Sequence, residues 1–284
     1  MASKKTPNES SFSELPPETL PSASFTPPRG LGHKMPSEPD PRDFRAGAML
    51  GAPRGLYAEA MGLLDYFDGH VKDQKATSAC VGFACYTGIE LRLAKLGVKF
   101  HGSEMGGYTL GRMLGLSDGE RLVDDGSLAR LVLKGVKDFG VIEQSAWPFS
   151  DDPKIVNKEL PLDVYQNASA RHMSAWYRLD KPGYGKLDQI CQAVAMGHPV
   201  PFAVTVDQRF MELSGKKPVE GFDPATRVGG HMMLVVGYTT VGGKRLFRVL
   251  NSWGSGWGDG GFCWMTEAAM LDETAGDFFA MQVG

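Results

Sequence analysis

Three features of this 284-residue sequence predict an α+β fold of two lobes with a cleft between them. Apolar residues recur at helical spacing in the first half, and the second half holds short apolar runs punctuated by glycine. The chain is also long enough to bury a sizeable core. Residues 1–41 stand apart, with nine of the eighteen prolines and much Ser, Thr and Glu. Repeated proline removes backbone donors and bars helix interiors, so this stretch is predicted as a tail, either flexible or extended along the body. In 79–96, Val81, Ala84, Cys85, Ile89, Leu93 and Leu96 form a helical stripe, and Gly97 supplies the stop. The pattern repeats in 127–139, closed by Gly140, and in 186–196, closed by Gly197. The period then changes. Segments 200–206, 232–238, 246–250 and 262–265 read as strands, with turns such as Gly242-Gly243 between elements. The predicted division is a tail over 1–41, a helical lobe over 42–165 and a strand-rich lobe over 166–284.

Composition excludes several function classes. Apolar residues make up 42% and charged residues 22%, with 30 basic against 33 acidic side chains for a net charge of −3. That lacks the basic excess of a nucleic-acid or anionic-membrane binder. No apolar run reaches the roughly 18 residues that a membrane helix needs. The first twenty residues have no apolar core, so no Sec signal is read there; the expectation is a cytoplasmic protein or one exported by another route. Four cysteines are too few for a disulfide scaffold. Cys80-x4-Cys85 lacks a second cysteine pair and is poor zinc spacing, and no glycine pair is followed by Gly-Lys-Ser/Thr. No metal or cofactor is expected, and the chain is expected to act as a monomer.

The chemistry-bearing residues concentrate in two places. Cys80 opens the first predicted helix within Val71-Lys72-Asp73-Gln74-Lys75-Ala76-Thr77-Ser78-Ala79-Cys80-Val81-Gly82-Phe83. A thiol at a helix N-terminus is expected to have a lowered pKa and to be available as a nucleophile; the alternative is a buried structural cysteine. Cys85, Cys191 and Cys263 lie on apolar faces and read as core. Downstream, Gly229-Gly230-His231 precedes a strand, and Asn251-Ser252-Trp253-Gly254 is followed by Trp257-Gly258.

Over residues 39–284 the sequence resembles the papain-like cysteine peptidases, particularly their compact bacterial members. The resemblance rests on Asp40-Pro41-Arg42-Asp43-Phe44, on Gln74 six residues before Cys80, and on Gly140-Val141-Ile142-Glu143 leading to Trp147-Pro148-Phe149. His231 and the Asn251-Ser252-Trp253-Gly254 motif complete it, in the chain order Cys, His, Asn. It implies a papain-like two-lobe fold, with a helical lobe and a β-barrel-like lobe flanking the active-site cleft, and a thiol peptidase acting on polypeptide. Cys80 would attack the carbonyl, and His231 would pair with it and protonate the leaving amine. Asn251 would orient the imidazole, Gln74 would donate to the oxyanion, and Trp253 would shield the Asn251–His231 bond. In the substrate cleft, Asp125, Gly126 and Ser127 match a wall that pairs with an extended substrate backbone. Ala203 and Met232 match positions lining the pocket for the residue before the cleaved one.

The sequence departs from the family pattern at Thr77, which replaces a disulfide-bonded cysteine, at Ser78, which replaces a glycine, and at Val81, which replaces an aromatic residue. The proline-rich tail is too short for a helical pro-domain. It is expected either to cross the cleft in an extended path and restrain activity, with Pro27-Pro28 or Pro36 favouring that path, or to be an export or linker segment. Two other functions are weighed: an inactive papain-fold module that binds a peptide, and a non-peptidase acyl-transfer enzyme of the amidase, deamidase or transglutaminase kind. The latter usually carries a carboxylate where this chain has Asn251.

Overall fold

Helix α1 (Cys80–Lys95) is buried along most of its length and anchors the helical lobe. It packs against α2 (Glu104–Met113), α3 (Ala129–Phe139) and strands of both sheets. The computed structural model describes residues 29–34, 44–45, 57–168 and 171–283. Pro27-Pro28, Pro36 and residues 40–43 lie outside the described residues. The helical core gathers Phe83, Cys85, Tyr86, Ile89, Met105, Tyr108, Val132, Leu133 and Ile142, and it also takes Ala203, Met232 and Met281 from the strand-rich half. Short helices α4 (Pro153–Val156) and α5 (Leu162–Ala168) follow α3.

Two sheets carry the remainder. In the smaller, β1 (Phe44–Arg45) runs parallel to β3 (Met173–Arg178), which pairs antiparallel with β8 (Phe279–Val283). In the larger, β2 (Met61–Gly62), β5 (Arg227–Val241), β6 (Lys244–Leu250) and β7 (Phe262–Thr266) are antiparallel neighbours, and β4 (Val200–Asp207) pairs with β5. Fifteen-residue β5 meets β4 along its N-terminal part and β6 along its C-terminal part, with a register shift between Val235 and Gly237. Helix α6 (Tyr184–Ala195) contributes Leu187, Ile190 and Val194 to a second core with Phe202, Val204, Phe247, Trp253 and Trp257. α7 (Gln208–Met211) follows β4, and α8 (Glu267–Met270) follows β7.

The α+β expectation holds, and the three expected helices and four expected strands form within a few residues of their predicted limits, β5 excepted, which starts earlier. The helical lobe, the curled antiparallel sheet and the N-terminus of α1 meet at the β4–β5 edge. Ala203 on β4 faces Met232 on β5, and both belong to the core built on α1.

Candidate active site

The loop before α1 is fixed from both sides. Lys72 is ion-paired with Glu90 on α1 at 2.6 Å and with Glu104 on α2. The carbonyl of Lys72 accepts from Gly254 N at 3.0 Å, and Gln74 N donates to Ser252 O at 2.8 Å, tying the loop to the one after β6. Thr77, in the place of the family cysteine, shapes the turn instead through its Oγ1, which donates to Gln74 O at 2.6 Å. Ser78 bonds Asp124 through both its N (3.0 Å to Oδ1) and its Oγ (3.0 Å to the carbonyl), and so fastens the loop to the 124–127 wall.

Cys80 is the first residue of α1, as expected, and is fully buried. Its electrostatics differ from the expectation. Burial pushes the thiol up to about 11, while backbone hydrogen bonds involving Met232, Gly32, Val81 and Cys80 itself pull the other way. The helix terminus therefore favours the anion but loses to desolvation, because the residue is fully buried in protein. His231 lies on β5 opposite Val204 and is also fully buried. Its Nε2 donates to Asn251 Oδ1 at 2.7 Å. Burial lowers this imidazole to about 4; the Asn251 bond raises it and the nearby His33 lowers it further. Nδ1 of His231 is buried with no hydrogen-bond partner, so no bond to the Cys80 thiol is made in this conformation.

Asn251 Oδ1 also accepts from Ser252 N at 2.8 Å, which fixes the amide with its oxygen toward the imidazole. Trp253 stacks on the His231 ring, with centroids 4.3 Å apart and planes 22° from parallel. Gln74 is fully buried; its Oε1 accepts from Ser252 Oγ at 2.6 Å, which turns Nε2 to the opposite side. The sequence singled out Gln74, Asn251 and Trp253 but gave Ser252 no role, although it sits inside the same motif and orients two of them.

Residues 29–34 (Arg-Gly-Leu-Gly-His-Lys) occupy the cleft. Gly30 O accepts from Gln74 Nε2 at 3.1 Å and from Trp253 Nε1 at 3.3 Å, and Gly30 N donates to Lys75 O at 2.9 Å. Arg29 lies over the Trp253 ring and bonds Met211 O. Further along, Ser127 N donates to Gly32 O at 2.9 Å and Lys34 N to Ser127 O at 3.2 Å, a parallel pairing. His33 N donates to Gly230 O at 3.1 Å. The approach is close enough to require glycine: a Cβ on Gly32 would sit 1.9 Å from Ser78 O, and one on Gly126 (φ +96°) 2.1 Å from Gly32 O.

The wall residues thus contact an extended peptide: Ser127 through its backbone, Gly126 by van der Waals approach and Asp125 through an ion pair with Lys34 at 3.0 Å. Ala203 and Met232 are placed together and fully buried. No sequence signal pointed to His33, Asp277 or Arg178. His33 Nε2 donates to Asp277 Oδ2 at 3.1 Å, and Arg178 donates to Oδ1 of the same carboxylate at 3.0 Å. Cys85, Cys191 and Cys263 are free and buried. Among the described residues, no cluster of three His, Cys, Asp or Glu side chains is grouped to hold a metal ion.

Comparison with known proteins gives a consistent picture. The model of the family described as papain family cysteine protease matches residues 124–275. A curated relative, an uncharacterized peptidase C1-like protein of Acanthamoeba polyphaga mimivirus, is 29% identical over 167 residues, 56% of this chain. The chain spans about half that relative's length, with 52% of it matched. Among solved structures, xylellain, a cysteine protease from Xylella fastidiosa, aligns with a TM-score of 0.73 at 24% identity over 92% of this chain and 99% of its own. Digestive procathepsin L 3 of Tenebrio molitor larval midgut gives 0.64 at 21% identity over 89% and 76%. The bromelain protease of Ananas comosus, solved with an inhibitor, gives 0.61 at 19% identity over 79% and 99%.

Proposed function

This chain belongs to the papain family of cysteine proteases, and we propose that it is a thiol peptidase that cleaves extended polypeptide and is restrained by its own residues 29–34. The carrying observation is a peptide carbonyl, that of Gly30, already seated on Gln74 Nε2 in the loop that leads into Cys80. In the reaction, the Cys80 thiolate attacks the substrate carbonyl carbon and a C–S bond forms. The carbonyl electron pair moves onto oxygen, where Gln74 Nε2 and the Cys80 backbone N–H receive it. The pair returns as the C–N bond breaks, and the leaving nitrogen takes a proton from the His231 imidazolium. Water, deprotonated by His231, then hydrolyses the thioester and restores the thiol. Asn251 holds the imidazole in place, and Trp253 covers that bond.

Residues 29–34 fit a restraining role by direction as well as position. They run from Trp253 toward the 126–127 wall, parallel to Ser127. A substrate with its acyl half on the wall and its leaving half over Trp253 runs the other way. The segment therefore fills the cleft with its peptide nitrogens on the wrong side for proton transfer from His231. It also removes water from Cys80 and His231, which favours the neutral thiol and neutral imidazole over the reactive ion pair. Several solved structures that resemble the chain are proenzymes by name, among them procathepsin L 3 of Tenebrio molitor. This supports reading the chain as a zymogen.

The full-length variant Gly32→Val tests both parts, because its Cβ cannot pass Ser78 O. Fluorogenic peptide hydrolysis and alkylation of Cys80 by iodoacetamide at pH 7 should each rise by at least about tenfold over the parent. A variant whose Cys80 labels rapidly but which hydrolyses no peptide would contradict the peptidase assignment. Parent and variant labelling at equal rates would contradict the restraint.

A further inference from the structure

The loop before Cys80 and the 124–127 wall are distant in sequence, 46 positions apart at Ser78 and Asp124. All four cysteines are free, so no disulfide joins them. A chain of hydrogen bonds does so instead. Asp124 Oδ1 accepts from Ser78 N at 3.0 Å and from the Tyr108 hydroxyl at 2.6 Å, and the Asp124 carbonyl accepts from Ser78 Oγ at 3.0 Å. The same Tyr108 oxygen accepts from Gly126 N at 3.1 Å. Tyr108 is fully buried on α2, with Arg112 lying over its ring and donating to Val123 O at 2.8 Å. One carboxylate and one phenol thereby tie Ser78 to Gly126. Between those two ends runs the bound segment: Gly32 packs against Ser78 O on one side and Gly126 on the other. Ser127, next in the wall, makes two backbone bonds to the same segment.

Resting on the peptidase reading, we infer that Asp124 and Tyr108 are positioning residues. They fix the spacing between the nucleophile loop and the wall, and so set how tightly the cleft grips an extended peptide backbone. They act through the wall rather than on the reacting atoms. The nucleophile loop is also held by Lys72, by the Gln74–Ser252 bonds and by Thr77, so Gln74 and Cys80 keep their places when this clasp is cut. The wall depends on it more heavily. Gly126 sits at φ +96°, and without the Tyr108 hydroxyl its buried N–H loses this acceptor. A displaced wall weakens binding of ground state and transition state alike, which raises KM and spares kcat. Thr77 and Ser78, two departures from the papain pattern, then form one device: a hydrogen-bonded turn and a polar tether where the family has a covalent bridge.

Tyr108→Phe deletes the hydroxyl and keeps the ring beneath Arg112, so the fold is retained. In the Gly32→Val background, its KM for a fluorogenic tetrapeptide should rise at least about tenfold with kcat within about threefold. An N-blocked single-residue p-nitrophenyl ester leaves the wall empty, and its kcat/KM should stay within about threefold. Asp124→Ala should show the same split. Asp124→Asn, whose side-chain oxygen can accept from both Ser78 N and Tyr108, should recover the tetrapeptide KM. In full-length chains without the opening substitution, Tyr108→Phe and Asp124→Ala should speed iodoacetamide alkylation of Cys80 at least about fivefold, since residues 29–34 use the same wall. Parallel losses on tetrapeptide and ester, a fall in kcat, failure of Asn to rescue, or an unchanged alkylation rate each overturns the positioning role while leaving the peptidase standing. Faster alkylation in these variants, with neither substrate cleaved even by Gly32→Val itself, does the reverse.

Discussion

Trp253 serves the closed cleft in three ways. Its ring stacks on His231, its Nε1 donates to Gly30 O, and its edges meet Phe210 and Trp257 with centroids 5.8 and 5.5 Å away. Because it is almost fully buried, Trp253→Ala should lower the free energy of unfolding by about 3–5 kcal/mol, measured by urea denaturation. Gln74 is a separate case, since its amide is oriented by Ser252 and its donor group faces the cleft. In the opened Gly32→Val enzyme, Gln74→Ala should reduce kcat by about 10²–10³ with KM little changed, as expected for a donor that acts on the transition state. Steady-state kinetics on one fluorogenic peptide checks this. A rise in KM at constant kcat would instead assign Gln74 to ground-state binding.

Helix α2 illustrates how an element can be hidden from periodicity. Its sequence, Glu-Met-Gly-Gly-Tyr-Thr-Leu-Gly-Arg-Met, carries three glycines, each of which weakens a helix by about 1 kcal/mol relative to alanine. It forms because Ser103 caps it, with Oγ accepting from Gly106 N at 2.8 Å, and because α1 must approach closely. A Cβ on Gly82 of α1 would lie 2.2 Å from Glu104 O. The same crossing supports the site through Lys72, whose ammonium lies between Glu90 and Glu104 in a mostly buried setting. Lys72→Met leaves two buried carboxylates without their cation. Chemical denaturation should show a loss of about 3–5 kcal/mol, and a neutral result would mean that water already screens the triad.

For the molecule as a whole, covering the cleft is linked to protons. His231 is held near 4 in the closed form, below its ordinary 6.5, so the closed form binds fewer protons there. Closure therefore weakens as pH falls toward 4, where the open site binds one proton more than the closed one. Cys80, held near 11, gives the opposite edge: closure weakens as pH rises toward 11, where the open site binds one proton fewer. Closure is thus expected to be tightest in the window between these two edges. Hydrogen-exchange protection factors for the Gly30 and His33 amides, normalised to intrinsic rates, should fall on the acid side of that window. His231→Gln should remove the acid-side fall. The opened enzyme should show a bell-shaped pH–rate profile once water returns to the thiol and imidazole.

What the sequence determined alone was local or chemically distinctive. Apolar spacing placed α1, α3, α6 and four strands, because side-chain periodicity follows from backbone geometry. The motifs around Gln74, Cys80, His231 and Asn251-Ser252-Trp253 named the candidate site. Tertiary structure decided the rest. The meeting of His33 and Asp277 across 244 positions leaves no local pattern, and neither does the seating of Gly32 against Ser78. The direction of the Cys80 shift was also settled there: the helix N-terminus is legible in sequence, but desolvation depends on what covers the sulfur, and in this molecule that cover is a distant stretch of the same chain.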